Sequence, residues 1–154
     1  MIHQWSILCK KALVDNTTNI ISLLEILEKL TVDFNAVTPV PTPTTLPNEF
    51  AMPFDFELVS MISDISEKNK NPFVKIELFN AQKEKIGETE NKLEIPAGAK
   101  KLRSRAIFNA IKIKGEGVYS FKVNLKENEK DTYKQVAEIP LEVEIKKHMT
   151  PKIK

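Results

Sequence analysis

The chain has 154 residues, 42% hydrophobic and 29% charged, with 23 Lys and Arg against 21 Asp and Glu for a formal net charge of +2. That length suits one domain, residues 1–154, with a real core, and the composition excludes global disorder. The near balance of charge makes no case for a nucleic-acid or membrane-surface protein, and the single Cys9 excludes an internal disulfide.

Taken in order, the chain opens on only a short apolar run before Lys10 and Lys11, well under the ~7–15 residues of a signal-peptide core. Leu8 stands where a lipoprotein would need a small residue before its cysteine. No later stretch approaches the ~18 apolar residues of a membrane span. A soluble, cytoplasmic protein is expected. Residues 4–14 read as a first strand, with Trp5, Ile7, Leu8, Cys9, Leu13 and Val14 supplying apolar surface on both sides. Residues 15–19, DNTTN, form a turn, because Asx and Thr side chains bond locally to the backbone. Residues 20–32 carry Ile20, Leu23, Leu24, Leu27 and Leu30 at helical spacing. The preceding turn and the strand-rich remainder argue instead for a strand pairing back on the first, and that reading is preferred.

Residues 35–49 hold four prolines and four threonines and form a long connection within the domain. Phe50, Met52, Phe54, Phe56 and Leu58 then give a strand with an aromatic face. Residues 64–71 are a polar loop, and Val74, Ile76 and Leu78 alternate along the next strand. A turn at 80–85 leads to a hairpin-like reversal at Ile86 and Gly87, and Leu93 with Ile95 suggests a short strand before the turn at Pro96. Residues 101–113 hold one or two strands.

The stretch 115–145 reads most clearly. Tyr119, Phe121, Val123 and Leu125 alternate with polar residues, a polar turn follows at 126–131, and a second strand runs through Ala137 and Ile139. At Pro140 the alternation is read as shifting by one, so this strand is expected to bend or to cross to another sheet. The whole reads as all-β: an immunoglobulin-like or C2-like antiparallel β-sandwich of about seven to nine strands, with a Pro/Thr-rich connection and a flexible tail at 147–154.

Trp5-x-x-Leu8-Cys9, Val14-Asp15, Leu24-Glu25-x-Leu27-Glu28, Lys75-Ile76-Glu77-Leu78 and Gly117-x-Tyr119-x-Phe121-x-Val123 together resemble a bacterial family of small uncharacterised proteins. The resemblance implies a β-sandwich and a strand over 20–32, and it implies no catalytic residues. The Pro/Thr connection is longer here than in that family.

Chemistry-bearing motifs are scarce. Cys9 lies in an apolar strand and reads as an inert buried thiol rather than a nucleophile. His3 and His148 lie at opposite ends without metal-ligand spacing, and Asp33, Asp55 and Asp64 form no D-x-D calcium cluster. No phosphate loop and no G-x-S-x-G elbow are present, and no nucleophile–base pair is evident. No cofactor and no metal are expected.

Two stretches stand out. Phe50, Phe54 and Phe56 beside the Pro/Thr connection suit contact with a partner strand, the plainer alternative being that they are core. Lys101, Arg103 and Arg105 share a strand face and suit anions; the plainer alternative is a solvated face balanced by Glu138, Glu142 and Glu144 across the sheet. The expectation is a non-enzymatic protein-interaction module acting on another protein or on itself, through a sheet edge or the aromatic strand. A weak phosphate- or nucleic-acid-binding module is the alternative.

Overall fold

The computed structural model describes residues 1–35, 49–65 and 72–148, and of Phe34, Asn35, Lys147 and His148 the backbone. Among the described residues nine strands follow one another: β1 Ile2–Val14, β2 Ile21–Ile26, β3 Lys29–Asn35, β4 Phe50–Ser63, β5 Phe73–Phe79, β6 Lys85–Lys92, β7 Lys101–Ile113, β8 Gly117–Lys126 and β9 Lys134–His148. No helix occurs among the described residues. One sheet has the order β2-β1-β4-β7 and the other β3-β9-β8-β5-β6, and one of the two is curled.

The core lies between the sheets, where the strict alternations point. Val74, Ile76 and Leu78 of β5, with Tyr119, Phe121, Val123 and Leu125 of β8, face Leu8 of β1, Phe56, Leu58 and Ile62 of β4, and Ala106, Ile111 and Ile113 of β7. Phe56 stacks on Phe108 at 4.8 Å between centroids and meets Phe121 edge-on at 5.8 Å. Tyr119 is fully buried, so its hydroxyl needs partners: it donates to the Gly115 carbonyl at 2.9 Å and accepts from the Lys114 amide at 2.7 Å.

Residues 20–32 are extended, as preferred over helix, but they form two strands in different sheets. β2 pairs antiparallel with β1, as expected, and β3 pairs with β9. The crossing is made by Leu27 and Glu28, tied at both ends: the Leu27 amide donates to the Leu8 carbonyl and the Glu142 amide to the Glu28 carbonyl, each at 2.9 Å. The buried side of the chain changes where it changes sheet, so the apolar residues of 20–32 follow no single strand alternation.

Four further expectations are corrected. The β3–β9 pair is parallel, so the arrangement is not antiparallel throughout; most of the chain separates the two strands, so no tight turn dictates their direction. The register of β9 runs through Pro140 without a shift, Ile139 facing Phe121 and Leu141 facing Tyr119, and the irregularity falls at Val136 instead. Pro140 is tolerated because β3 begins to pair with β9 only from Glu142, so its missing N–H lies where β9 has no second neighbour among the described residues. The reversal after β5 is closed by Asn80, whose side chain bonds the Glu84 amide at 2.8 Å, so Ile86 and Gly87 already belong to β6. Leu93 and Ile95 follow β6 as core-packed loop residues. β9 extends to His148; residues 149–154, and residues 36–48 of the Pro/Thr connection, lie outside the described residues.

Candidate functional site

The aromatic and basic stretches become neighbouring strands, β4 and β7, paired from Phe50 opposite Ile113 to Ser63 opposite Lys101. Phe56 is core, 1% exposed, and offers no surface. Phe54 stacks on Phe56 at 5.7 Å and carries the Lys10 ammonium 4.1 Å above its ring; Phe50 is half-buried at the start of β4. The expected aromatic face is therefore largely inward, since those positions share the parity of Leu58 and Ile62.

The basic stripe does share one face of β7, but its arginines are engaged within the chain. Arg105 makes a bidentate pair with Glu57, Nε to Oε2 at 2.8 Å and Nη2 to Oε1 at 2.9 Å. Arg103 donates to the Asn19 carbonyl and, at 2.7 Å, to its Oδ1. Lys101 is exposed. Glu138, Glu142 and Glu144 do not balance these cations, because β9 lies in the other sheet; Glu142 and Glu144 pair with Lys29 at 3.3 and 3.0 Å.

Arg103 reveals a feature that strand patterning did not. β7 is one edge of its sheet and β2 the other, yet Arg103 reaches Asn19 at the tip of the β1–β2 hairpin. The hairpin therefore folds across the outer face of its own sheet. β1 leaves β4 after Cys9, and opposite the departure Glu25 takes a positive φ of 52°, breaking the regular pleat of β2. Beneath the hairpin Cys9, Ala12 and Val59 are buried, with Trp5, Ile21 and Leu23 packed around them. Cys9 is fully buried; burial, then the Glu57 carboxylate, pushes its thiol pKa up, so it is held protonated and unreactive. The tip is built by Asp15: its carboxylate accepts from the Thr17 amide at 2.8 Å and the Thr18 hydroxyl at 2.6 Å, which holds the Asp15 pKa down, and Asn19 takes the left-handed φ of 57°.

Eight large hydrophobic side chains are exposed among the described residues, and five of them lie on this hairpin: Leu13, Val14, Ile20, Leu24 and Ile26. Ile26 also borders a cleft of about 360 Å³ at the sheet crossing, lined by Ser6, Ile7, Leu8, Leu27, Glu28, Ile139 and Pro140.

His3 lies within β1, its Nε2 2.8 Å from the Ser6 hydroxyl. Burial lowers its pKa, partly offset by a hydrogen bond to the Trp5 backbone. His148 ends β9 opposite Asn35. Asp33 sits on β3, Asp55 in β4 and Asp64 just after it. Among the described residues no three His, Cys, Asp or Glu side chains gather as a metal site, and no helix is long and apolar enough to cross a membrane. The chain is thus an all-β protein of two sheets around one core, with an apolar hairpin laid over one of them. No family model, curated protein or solved structure matches it.

Proposed function

We propose that the protein is an interaction module that binds another protein, or a second copy of itself, through the β1–β2 hairpin and its β2 edge. The observation that carries this is the concentration of exposed apolar side chains, five of eight, on one hairpin. Scattered apolar residues on a surface need no explanation, whereas a cluster rimmed by polar groups marks a contact site. Here the polar groups are Lys11 and Ser22, the cross-strand partners of Leu24 and Leu13, and the 15–19 turn, all exposed. β2 has no strand beyond it among the described residues, so its edge adds backbone pairing to apolar contact. The aromatic strand is the weaker surface because Phe56 is core, and the anion-binding alternative is weakened because Arg103 and Arg105 are engaged.

The fold belongs to this reading as an immunoglobulin-like β-sandwich. Support comes from the strand order, with β4 between β1 and β7 and β8 between β9 and β5. It also comes from Tyr119, near the start of the penultimate strand, bonding back to the chain just upstream as a tyrosine corner does. The resemblance to a bacterial family of small β-sandwich proteins and a cytoplasmic location complete the proposal.

The test is a tagged capture from the host lysate at moderate salt, with and without nuclease, beside light scattering of the pure protein. Wild type should retain one stoichiometric, nuclease-resistant protein or run as a dimer. Leu24→Glu with Ile26→Lys should lose that contact while still folding, because both positions are exposed. Contact surviving in this variant overturns the hairpin surface, and recovery abolished by nuclease overturns the protein-contact reading.

A further inference from the structure

His3 and Ser6 are three residues apart on one strand, a separation that regular alternation sends to opposite faces. β1 is not regular here. Its register against β4 shifts between His3 and Trp5, and this bulge around Gln4 returns His3 to the face of Ser6. The ring Nε2 then lies 2.8 Å from Ser6 Oγ, and Ser60 Oγ, itself 1% exposed, lies 2.6 Å on the other side of that hydroxyl. The ring is also bonded to the Trp5 backbone in a way that favours the protonated form, as donation to a carbonyl does. In the tautomer that carries its proton on Nδ1, Nε2 is the acceptor for the Ser6 proton. Ser6 in turn lines the cleft of about 360 Å³ at the sheet crossing.

We propose that Ser6 is a nucleophile activated by His3, and that the cleft accepts a small carboxylic ester with an apolar acyl chain. Ser6 Oγ attacks the ester carbonyl as its proton passes to His3 Nε2. The bond from the carbonyl carbon to the leaving alkoxy oxygen breaks, and the alcohol departs with that proton. Water, deprotonated by His3, then attacks the acyl-serine; the carboxylic acid leaves and the proton returns to Ser6 Oγ. The oxyanion of each tetrahedral intermediate needs a donor, and β1 supplies one. The Leu8 carbonyl accepts from Leu27 on the side away from β4. Backbone groups two residues apart in a strand point the same way, so the Ser6 N–H also points away from β4. On that side β2 pairs only from Cys9 onward, and Ser6 has no strand partner there among the described residues. An unpaired edge amide beside the nucleophile is what an oxyanion hole requires. Specificity follows from the lining: Ile7, Leu8, Ile26, Leu27 and Ile139 favour an apolar acyl group, and Glu28 disfavours an anionic one.

The test uses the intact protein with a fluorophosphonate probe, mapping the adduct by peptide mass spectrometry, beside hydrolysis of p-nitrophenyl butyrate. One phosphonyl group on Ser6 is expected. Ser6→Ala should abolish labelling and hydrolysis, and His3→Gln should slow both about 100-fold, the scale of a lost general base. Leu24→Glu should leave both unchanged, which separates this site from the hairpin contact. No adduct on folded wild type, or one mapped to another residue, overturns the proposal even if no variant folds. Equal labelling of wild type and His3→Gln overturns the role of His3.

Discussion

The molecule has two apolar clusters of unequal construction. The one between the sheets gathers twenty buried residues, including Phe56, Tyr119 and Phe121, and the buried hydroxyl of Tyr119 is doubly bonded. The one beneath the β1–β2 hairpin buries only Cys9, Ala12 and Val59. It relies on polar ties, Arg105 to Glu57 and Arg103 to Asn19, at its margin. The first cluster has enough area to hold the fold, whereas the second holds a layer that opens at low cost. Contact surfaces and moving elements come from such low-stability parts of a structure, and five of the eight exposed large apolar residues among the described residues lie on that layer.

Breaking the larger cluster should give the largest effect. Phe121→Ala removes a fully buried ring that meets Phe56 and Phe108 edge-on. It should cost ~3–5 kcal/mol, read as a lowered denaturant midpoint. Next comes Arg105→Ala, which leaves Glu57, only 7% exposed, as a buried carboxylate without its bidentate partner. About 2 kcal/mol is expected, less than for a fully buried pair because the arginine is 38% exposed. Arg105→Lys should not restore it, since an ammonium lacks the two-pronged geometry. Arg103→Ala should cost about 1 kcal/mol or less. Amide exchange nonetheless divides the two clusters: hairpin amides should exchange faster while those of β5 and β8 keep their protection. Uniform acceleration would mean that the hairpin opens only with the whole fold.

What the sequence made legible was the larger cluster. Val74, Ile76, Leu78 and Tyr119, Phe121, Val123, Leu125 alternate without interruption, and the β5–β8 pairing they build is regular. Residues 20–32 were legible as extended but not as two strands, because the sheet change at Leu27 and Glu28 carries no turn residue such as glycine or proline. The hairpin layer was illegible for a different reason. Its bend is made by a non-glycine residue, Glu25, at positive φ, and its tie joins Arg103 to a residue 84 positions away. The His3–Ser6 pair was hidden likewise, because spacing alone assigns those residues to opposite faces until the bulge at Gln4 is known. Pattern reading assumes regular strands; in this molecule the candidate chemistry sits where strands are irregular.

The smallest predicted effect tests that irregularity directly. Burial in β1 lowers the His3 pKa from its ordinary 6.5. Between the two values the unfolded chain binds a proton that the folded chain does not, so stability falls as pH drops through ~6.5 and is fully present above it. The carboxylates held low by accepted hydrogen bonds, Asp15 from Thr18, Glu84 from Lys114, Glu88 from Lys85 and Glu144 from Lys29, act in a separate window. Their contribution is lost only below ~4.5. A fall in melting temperature between pH 7.5 and 5.5 therefore reports His3, and His3→Gln should flatten it. A fall of equal size in that variant would place the ring in ordinary solvent and remove the bulge's hold on it. The shift is small because the ring is only partly buried, yet it is specific to the one place where β1 departs from its pleat to set a base against a hydroxyl.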